Sequence, residues 1–384
     1  MSARPGSWRA IGKSVIGVTH ARDARPCQDA VRIRDTAPEM AVAAVADGHG
    51  QAKSFRSGQG AGLAVEVAVD VLVKFSESEP RTLDSAHWAR KDLAGHVPRI
   101  VAQTWRERVR EHVQRYPFTS DEYALFGDSL PIAPDQPMTS GDYRSLWRAY
   151  GTTLIAVLVT RSYAVALQIG DGLLMAAGLS GEAFEVLDPD ALNFGTSTTS
   201  LSDEDAELRL RWRLIPHEGD YPVLYWLCTD GYEKAFRSED HGAVCLEYRA
   251  AFREPDGFRM IKENLEAGLH QASAAGTGDD ATAAFLYFDE SDPGSVTFEA
   301  GKPPEPEPEG RTLSGDEGTN AEFGGSDCPM SSRATEPPAG SLLESAAPPR
   351  SGESRGTDCV GPGGPSSPAD AATLPPDREG LDQC

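Results

Sequence analysis

The sequence predicts an α+β fold, a four-layer αββα sandwich of two antiparallel sheets flanked by helix pairs, followed by a disordered C-terminal tail. Three observations carry that prediction. Apolar, strand-like runs come in consecutive groups instead of alternating one by one with helices, which argues against a parallel βαβ sheet. Long segments with apolar residues at helical spacing lie between those groups. From residue 289 to 384 the composition changes, with 15 of the chain's 28 prolines and only two aromatics, Phe298 and Phe323. Such a segment buries too little apolar surface to offset the entropy of ordering its backbone. The chain therefore divides into one folded domain, residues 1–288, and a Pro-, Gly- and acid-rich tail, residues 289–384.

Taken in order, residues 14–18 are β-prone, and 30–34 form a second strand after a turn-rich stretch. The unbroken apolar run 40–46 follows a short turn, so the two pair as a hairpin; a run without alternation suits a strand covered on both faces. Residues 54–75 repeat apolar positions at helical spacing (Leu63, Val67 and Val71 on one line, Ala64, Ala68 and Leu72 on the next), with Ser54 as the expected N-cap. A second helical stretch, 85–116, is expected to break or kink at Pro98. Residues 117–148 form a Pro-, Asp- and Ser-rich insert that reads as a long loop. Strands resume at 153–160, 163–169, 173–177 and 184–187. A polar helix at 202–213, a strand at 223–229, a helix at 258–275 and a last strand at 281–288 complete the domain. Gly58-Gln-Gly-Ala-Gly62 lies inside a helical run, so close helix–sheet packing explains it better than dinucleotide binding.

Composition narrows the function classes. The chain has 384 residues and a net charge of −23. No stretch approaches the ~18 consecutive apolar residues of a membrane span, and the first residues lack the apolar core of a secretory signal, so a cytoplasmic protein without a membrane partner is expected. The six cysteines form no CxxC pair, which argues against a disulfide framework or a zinc site. An acidic chain without a basic stripe is repelled by phosphate backbones, so no nucleic-acid partner is expected. Acidity does suit the holding of divalent cations.

Five aspartates sit at strand ends. Asp29 precedes the strand at 30–34 and Asp47 follows the run 40–46, so a hairpin places both at one rim. Asp171 follows 163–169, Asp230 follows 223–229 and Asp279 precedes 281–288. One Asp-Gly alone is an ordinary turn. Five carboxylates converging on one edge would repel unless positive charge sat among them, and hard oxygen donors of this kind suit Mg²⁺ or Mn²⁺. Within Ala46-Asp47-Gly48-His49-Gly50, glycine allows close backbone approach and leaves the Gly48 carbonyl free to ligate a metal beside Asp47. His49 then stands beside the metals, placed for proton transfer.

Asp47-Gly48-His49-Gly50, Tyr150-Gly151-Thr152-Thr153-Leu154, Ile169-Gly170-Asp171-Gly172, Cys228-Thr229-Asp230-Gly231 and Gly278-Asp279-Asp280-Ala281-Thr282 follow one another in an order and spacing that resembles the metal-dependent serine/threonine phosphatases of the protein phosphatase 2C family. Pro26-Cys27-Gln28-Asp29 resembles the first motif of its bacterial branch. The resemblance runs from about Gly12 to Phe288 and implies hydrolysis of phosphoserine and phosphothreonine on proteins phosphorylated by a serine/threonine kinase. It implies that Asp47 bridges two Mn²⁺ or Mg²⁺ ions, that the Gly48 carbonyl completes one of them, and that Asp230 and Asp279 hold the other. Asp29 would anchor a metal-bound water or ligate weakly, and Asp171 matches the acid associated with a third, looser ion. Water activated between the two ions attacks phosphorus, and His49 protonates the leaving oxygen. Neither Cys27 nor Cys228 is needed as a nucleophile.

The sequence departs from the family pattern at three places. Gln28 stands where many members have an acid. Ala24 stands at the position of the phosphate-binding arginine, with Arg25 and Arg22 nearby; Arg25 is the candidate carried forward. Lys234 stands where many members carry another acid for the third ion. These departures motivate an alternative, a pseudophosphatase or phosphoprotein-binding module of the same fold. In the tail, Lys302-Pro-Pro-Glu-Pro-Glu-Pro-Glu resembles a stiff polyproline spacer of the kind that proline-recognition domains bind, though a solvated, self-repelling linker accounts for it better.

Overall fold

The computed structural model describes residues 6–37, 39–78, 96–127, 142–190 and 198–291. Ten strands form two antiparallel sheets. The first contains β1 (Ser7–Val15), β6 (Leu173–Gly178), β7 (Ala183–Glu185), β9 (Pro222–Cys228) and β10 (Ala281–Asp289), in the order β1-β10-β9-β6-β7. The second contains β2 (Asp29–Ala37), β3 (Met40–Asp47), β4 (Leu154–Val159), β5 (Tyr163–Ile169) and β8 (Arg211–Pro216), in the order β2-β3-β4-β5-β8. Helices α1 (Val18–Arg22), α2 (Ser57–Ser78), α3 (Val97–Arg115), α4 (Ser120–Phe126), α5 (Asp142–Ala149), α6 (Ala206–Arg209), α7 (Asp230–Glu233), α8 (His241–Arg253) and α9 (Gly257–Ala275) complete the domain.

Why the run 40–46 shows no alternation is clear from its two faces. Ala41, Ala43 and Val45 point between the sheets, where they meet Val157, Ala166, Leu227 and Leu286. Val42, Ala44 and Ala46 point outward to residues of α2 and α3, including Ala61, Leu72, Val101 and Trp105. On the other side of the sandwich, Trp226 and Phe285 pack under Phe252 of α8 and Leu265 and Leu269 of α9. Both sheets are thus covered on both faces, and each fully buried large side chain contributes roughly 1.5–3 kcal/mol of transfer free energy. Gly60 lets α2 approach the turn before β4: a Cβ there would lie 1.9 Å from the Tyr150 carbonyl oxygen. The same Gly60 carbonyl accepts from Trp105 Nε1 at 3.0 Å. The glycine-rich run is a packing device, but its contacts at Gly60 are to a turn and a neighbouring helix rather than to the sheet.

Several expectations need correction. The first strand lies earlier than 14–18, and Val18 begins α1. Ser54 is no N-cap but ends a 3₁₀ turn, Ala52–Ser54, and α2 starts at Ser57. Pro98 does not break a helix: it occupies the first turn of α3, where a missing N–H costs no hydrogen bond. The portion of that stretch before His96 is outside the described residues. The insert 117–148 is not merely loop, since it holds α4 and most of α5; residues 128–141 are outside the description. The expected helix at 202–213 shrinks to Ala206–Arg209 and gives way to β8, an edge strand specified by pairing with β5. The last strand extends to Asp289, whose carboxylate pairs with Arg9 at 3.2 Å. The tail expected beyond it lies, after Ser291, outside the described residues. No described helix is long and apolar enough to cross a membrane.

Candidate active site

The strand ends meet at one rim of the sandwich. Asp29 and Asp47 are direct cross-strand partners in the β2–β3 hairpin. Asp171 sits in the turn between β5 and β6, Asp230 opens α7 after β9, and Asp279 lies just before β10. Asp47, Asp171, Asp230 and Asp279 line a single cavity of about 620 Å³, together with Gly48, His49, Arg25, Gln28 and His20. Asp29 is not on the wall. It stands behind Asp47, and its Oδ2 accepts from the Thr229 hydroxyl at 2.7 Å.

Backbone contacts fix the hairpin tip. The Asp47 N–H donates to Thr153 Oγ1 at 3.0 Å, while its carbonyl accepts from the Thr153 N–H at 2.9 Å and from Thr152 Oγ1 at 2.8 Å. The Gly48 N–H donates to the Gln28 carbonyl at 3.1 Å and the His49 N–H to the Gly151 carbonyl at 3.0 Å. Glycine is required at 48, since a Cβ would come within 2.7 Å of both the Gln28 and Ser57 carbonyl oxygens. The segments Asp47–Gly50 and Tyr150–Leu154, distant in sequence, are therefore one tightly bonded unit that presents Asp47 and His49 side by side.

The electrostatics of this rim are those of acids short of positive charge. Burial, with the Asp280 and Asp230 charges adding to it, raises the Asp29 carboxyl to about 7 against the opposing hydrogen bonds from Thr229 and Thr282. Burial and then Asp29 and Asp230 push Asp47 well above the carboxylate range. Asp171 is raised by burial and by Asp230. Glu233, one turn along from Asp230, is raised to about 7 by burial and then by Asp230 and Asp171. His49 is pushed down by burial, while Asp171 and Asp203 pull it back up.

The three departures from the pattern have definite positions. Ala24 has φ of +54°, a left-handed conformation unusual for a residue with a side chain. Past this turn Arg25 reaches the cavity wall, its Nη2 held 3.9 Å from Asp23 Oδ2. Arg22 pairs with Asp23 at 3.0 Å on the surface and is not on that wall. Gln28 Nε2 donates to Ser57 Oγ at 2.8 Å. Its buried Oε1 has no hydrogen-bond partner. Lys234 Nζ lies 2.5 Å from Asp230 Oδ2, so the chain places one ammonium of its own against the acids.

Sequence reasoning missed His20, Asp280 and Glu233. His20 is buried, with Nδ1 2.9 Å from Asp280 Oδ2 and Nε2 3.5 Å from Asp279 Oδ1. Asp280, 3% exposed, also accepts from the backbone N–H groups of Gly17 at 2.7 Å and Gln28 at 2.6 Å. The doubled Asp279-Asp280 was the available signal for the second; nothing local marks His20.

A model of the protein phosphatase 2C family matches residues 16–270. The chain belongs to the protein phosphatase 2C family. The match takes in Asp29, Asp47, Gly48, His49, Asp171 and Asp230 but ends before Asp279, which only the fold brings to the same cavity. Similar solved structures include the Mycobacterium tuberculosis serine/threonine phosphatase PstP/Ppp, 17% identical over 74% of this chain and 99% of that one, with a TM-score of 0.43. RsbX in complex with magnesium is 12% identical over 74% of this chain and 96% of that one, with a TM-score of 0.39. A C. elegans sex determining protein is 14% identical over 75% of this chain and 66% of that one, with a TM-score of 0.44. No curated protein matches the chain.

Proposed function

We propose that this member of the protein phosphatase 2C family hydrolyses phosphoserine and phosphothreonine on proteins, using divalent cations held by the acidic rim. The observation that carries the reading is the convergence of Asp47, Asp171, Asp230 and Asp279 on the cavity that His49 also lines. The donor set fits a hard divalent ion: the carboxylates supply oxygen, and burial, with neighbouring acids adding to it, raises the pKa values of Asp47, Asp171 and Asp29. Asp47 and the Gly48 carbonyl would hold one Mn²⁺ or Mg²⁺, Asp230 and Asp279 a second, with Asp171 toward a third and Asp29 supporting Asp47 from behind. Bound there, such ions supply Lewis acidity for a phosphoryl oxygen and a water nucleophilic at neutral pH.

The chain's own side chains do the rest. Arg25, on the cavity wall and 43% exposed, is placed to grip a phosphate from the solvent side. His49 gives its proton to the departing serine or threonine oxygen; burial lowers its pKa, and Asp171 and Asp203 oppose that by favouring the protonated form. Cys27, raised to about 12 chiefly by burial, and Cys228, raised by burial, are thiols rather than thiolate nucleophiles at neutral pH. The substrate is a protein phosphorylated by a serine/threonine kinase. Mn²⁺-dependent hydrolysis of an aryl phosphate and of a phosphothreonine peptide tests the reading, with Asp230→Ala as the control. Stoichiometric Mn²⁺ binding with no turnover on either substrate would leave only a phosphoprotein-binding module.

A further inference from the structure

His20 is the buried group at this rim that the proposed chemistry leaves unused. It belongs to α1, is 6% exposed, and still lines the acid-walled cavity. Its two nitrogens have different surroundings. Nδ1 faces Asp280 Oδ2 at 2.9 Å. That carboxylate also takes a backbone N–H on each oxygen, from Gly17 at 2.7 Å and from Gln28 at 2.6 Å. Nδ1 is therefore the ring nitrogen engaged by Asp280, and Nε2 is the one turned toward Asp279. An imidazole that donates from Nδ1 presents its lone pair at Nε2. Nε2 lies 3.5 Å from Asp279 Oδ1, longer than a good hydrogen bond. One ligand atom each from His20, Asp279 and Asp280 falls within 4.8 Å of the others.

We infer that His20 Nε2 is a nitrogen ligand to the divalent cation that Asp279 holds, oriented by Asp280, so that this end of the site is a mixed imidazole–carboxylate centre. The inference rests on the proposed placement of a cation at Asp279. Asp280 acts through His20 and is a positioning residue: both of its oxygens are engaged by donors, and a carboxylate behind a ligating histidine fixes its tautomer and ring orientation. The chemical consequence is selectivity. Imidazole nitrogen favours first-row transition metals over Mg²⁺, which prefers oxygen and keeps its waters. This centre therefore takes Mn²⁺, Fe²⁺ or Zn²⁺ in preference to Mg²⁺, although its remaining ligands are hard.

Pulsed electron paramagnetic resonance of the full chain loaded with Mn²⁺ tests this directly. The wild type should show ¹⁴N modulation, replaced by ¹⁵N when the protein is made with ¹⁵N-histidine. The signal should persist in His49→Gln, which removes the other cavity-lining histidine, and vanish in His20→Gln. By calorimetry His20→Gln should weaken Mn²⁺ binding by about 10–100-fold and Mg²⁺ binding far less. Should His20→Gln fail to fold, the labelled His49→Gln protein still reads the nitrogen. Bound Mn²⁺ without histidine nitrogen, or nitrogen modulation that survives His20→Gln, overturns the inference and leaves the phosphatase reading intact. Absence of any bound Mn²⁺ overturns both.

Discussion

Two clusters of buried charge in this fold are built on opposite principles. At one, Arg56 (8% exposed) forks onto Glu122 at 2.6 and 2.8 Å, and donates to the Tyr150 hydroxyl at 2.9 Å and to the Tyr116 and Pro117 carbonyls at 2.7 and 3.1 Å. Its guanidinium also lies 4.4 Å from the centre of the Phe118 ring. Glu122, chiefly through the Arg56 hydrogen bonds, is held at about 2. The other cluster is the acidic rim, where Asp29 and Glu233 are raised to about 7 and Asp47 well above the ordinary carboxylate value. A cluster that the chain neutralises with its own side chains is a fastener. One that it leaves short of positive charge is a receptor for cations, and the directions of the carboxyl shifts tell the two apart.

Breaking the fastener should have the largest effect. Arg56→Ala strands Glu122 and removes the bonds that tie α4 to the start of α2, at a cost of about 3–5 kcal/mol. Urea unfolding should show that loss equally with Mn²⁺ and with chelator. A loss confined to the Mn²⁺-loaded protein would mean that Arg56 serves the rim.

Breaking the receptor should do the reverse. Asp47→Ala is expected to lower turnover of an aryl phosphate by about 10²–10³-fold, the range for removing one preorganised electrostatic group. Yet in chelator its melting temperature should equal or exceed that of the wild type, because a buried acid crowded by Asp29 and Asp230 has gone. A clear drop in stability without metal would show Asp47 to be a structural acid like Glu122.

The same contrast governs pH. In the rim, Asp29 has a folded pKa near 7 against an ordinary 3.8. The native state therefore holds more protons than the unfolded chain between those values. The stability this contributes is complete below about pH 4 and is lost as pH rises through about 7. Glu122 has the opposite sign: its contribution is present above about pH 4.5 and is lost as pH falls toward 2. Metal-free protein should melt lower at pH 8 than at pH 5, by a few degrees, and Mn²⁺ should close the gap. A metal-free melting temperature that rises from pH 5 to pH 8 would contradict the charge account of the rim.

What the sequence made legible follows the same division between local and distant. Met40–Asp47 and Tyr163–Ile169 were readable because strands buried on both faces leave unbroken apolar runs. That Asp47, Asp171, Asp230 and Asp279 meet at one cavity could be anticipated because each lies within two residues of such a run, while Asp29 follows from its hairpin pairing with Asp47. Helix α4 announced itself through the Thr119–Glu122 capping box, a signal passed over inside a polar insert. His20 was not readable, because its contact with Asp280 joins residues 260 apart and nothing in its own neighbourhood marks it. Strand β8, with only Leu214 buried, owes its state to β5.

The smallest effect expected is at Lys234, and it sharpens the comparison most finely, because this residue is a fragment of fastener inside the receptor. Its ammonium sits 2.5 Å from Asp230 Oδ2, four residues back in the sequence, and the side chain is 55% exposed. An exposed pair of this kind is worth at most about 1 kcal/mol, so it cannot neutralise the rim as Arg56 neutralises Glu122. It can compete with a divalent ion for Asp230. Lys234→Ala should therefore tighten Mn²⁺ binding by up to about fivefold, while Lys234→Arg keeps the competing charge and leaves affinity near that of the wild type. Titration calorimetry at low ionic strength resolves a change of that size. Weaker binding in Lys234→Ala would mean that the ammonium positions the Asp230 carboxylate for its cation, and Lys234 would then belong with Asp280 among the residues that aim a ligand.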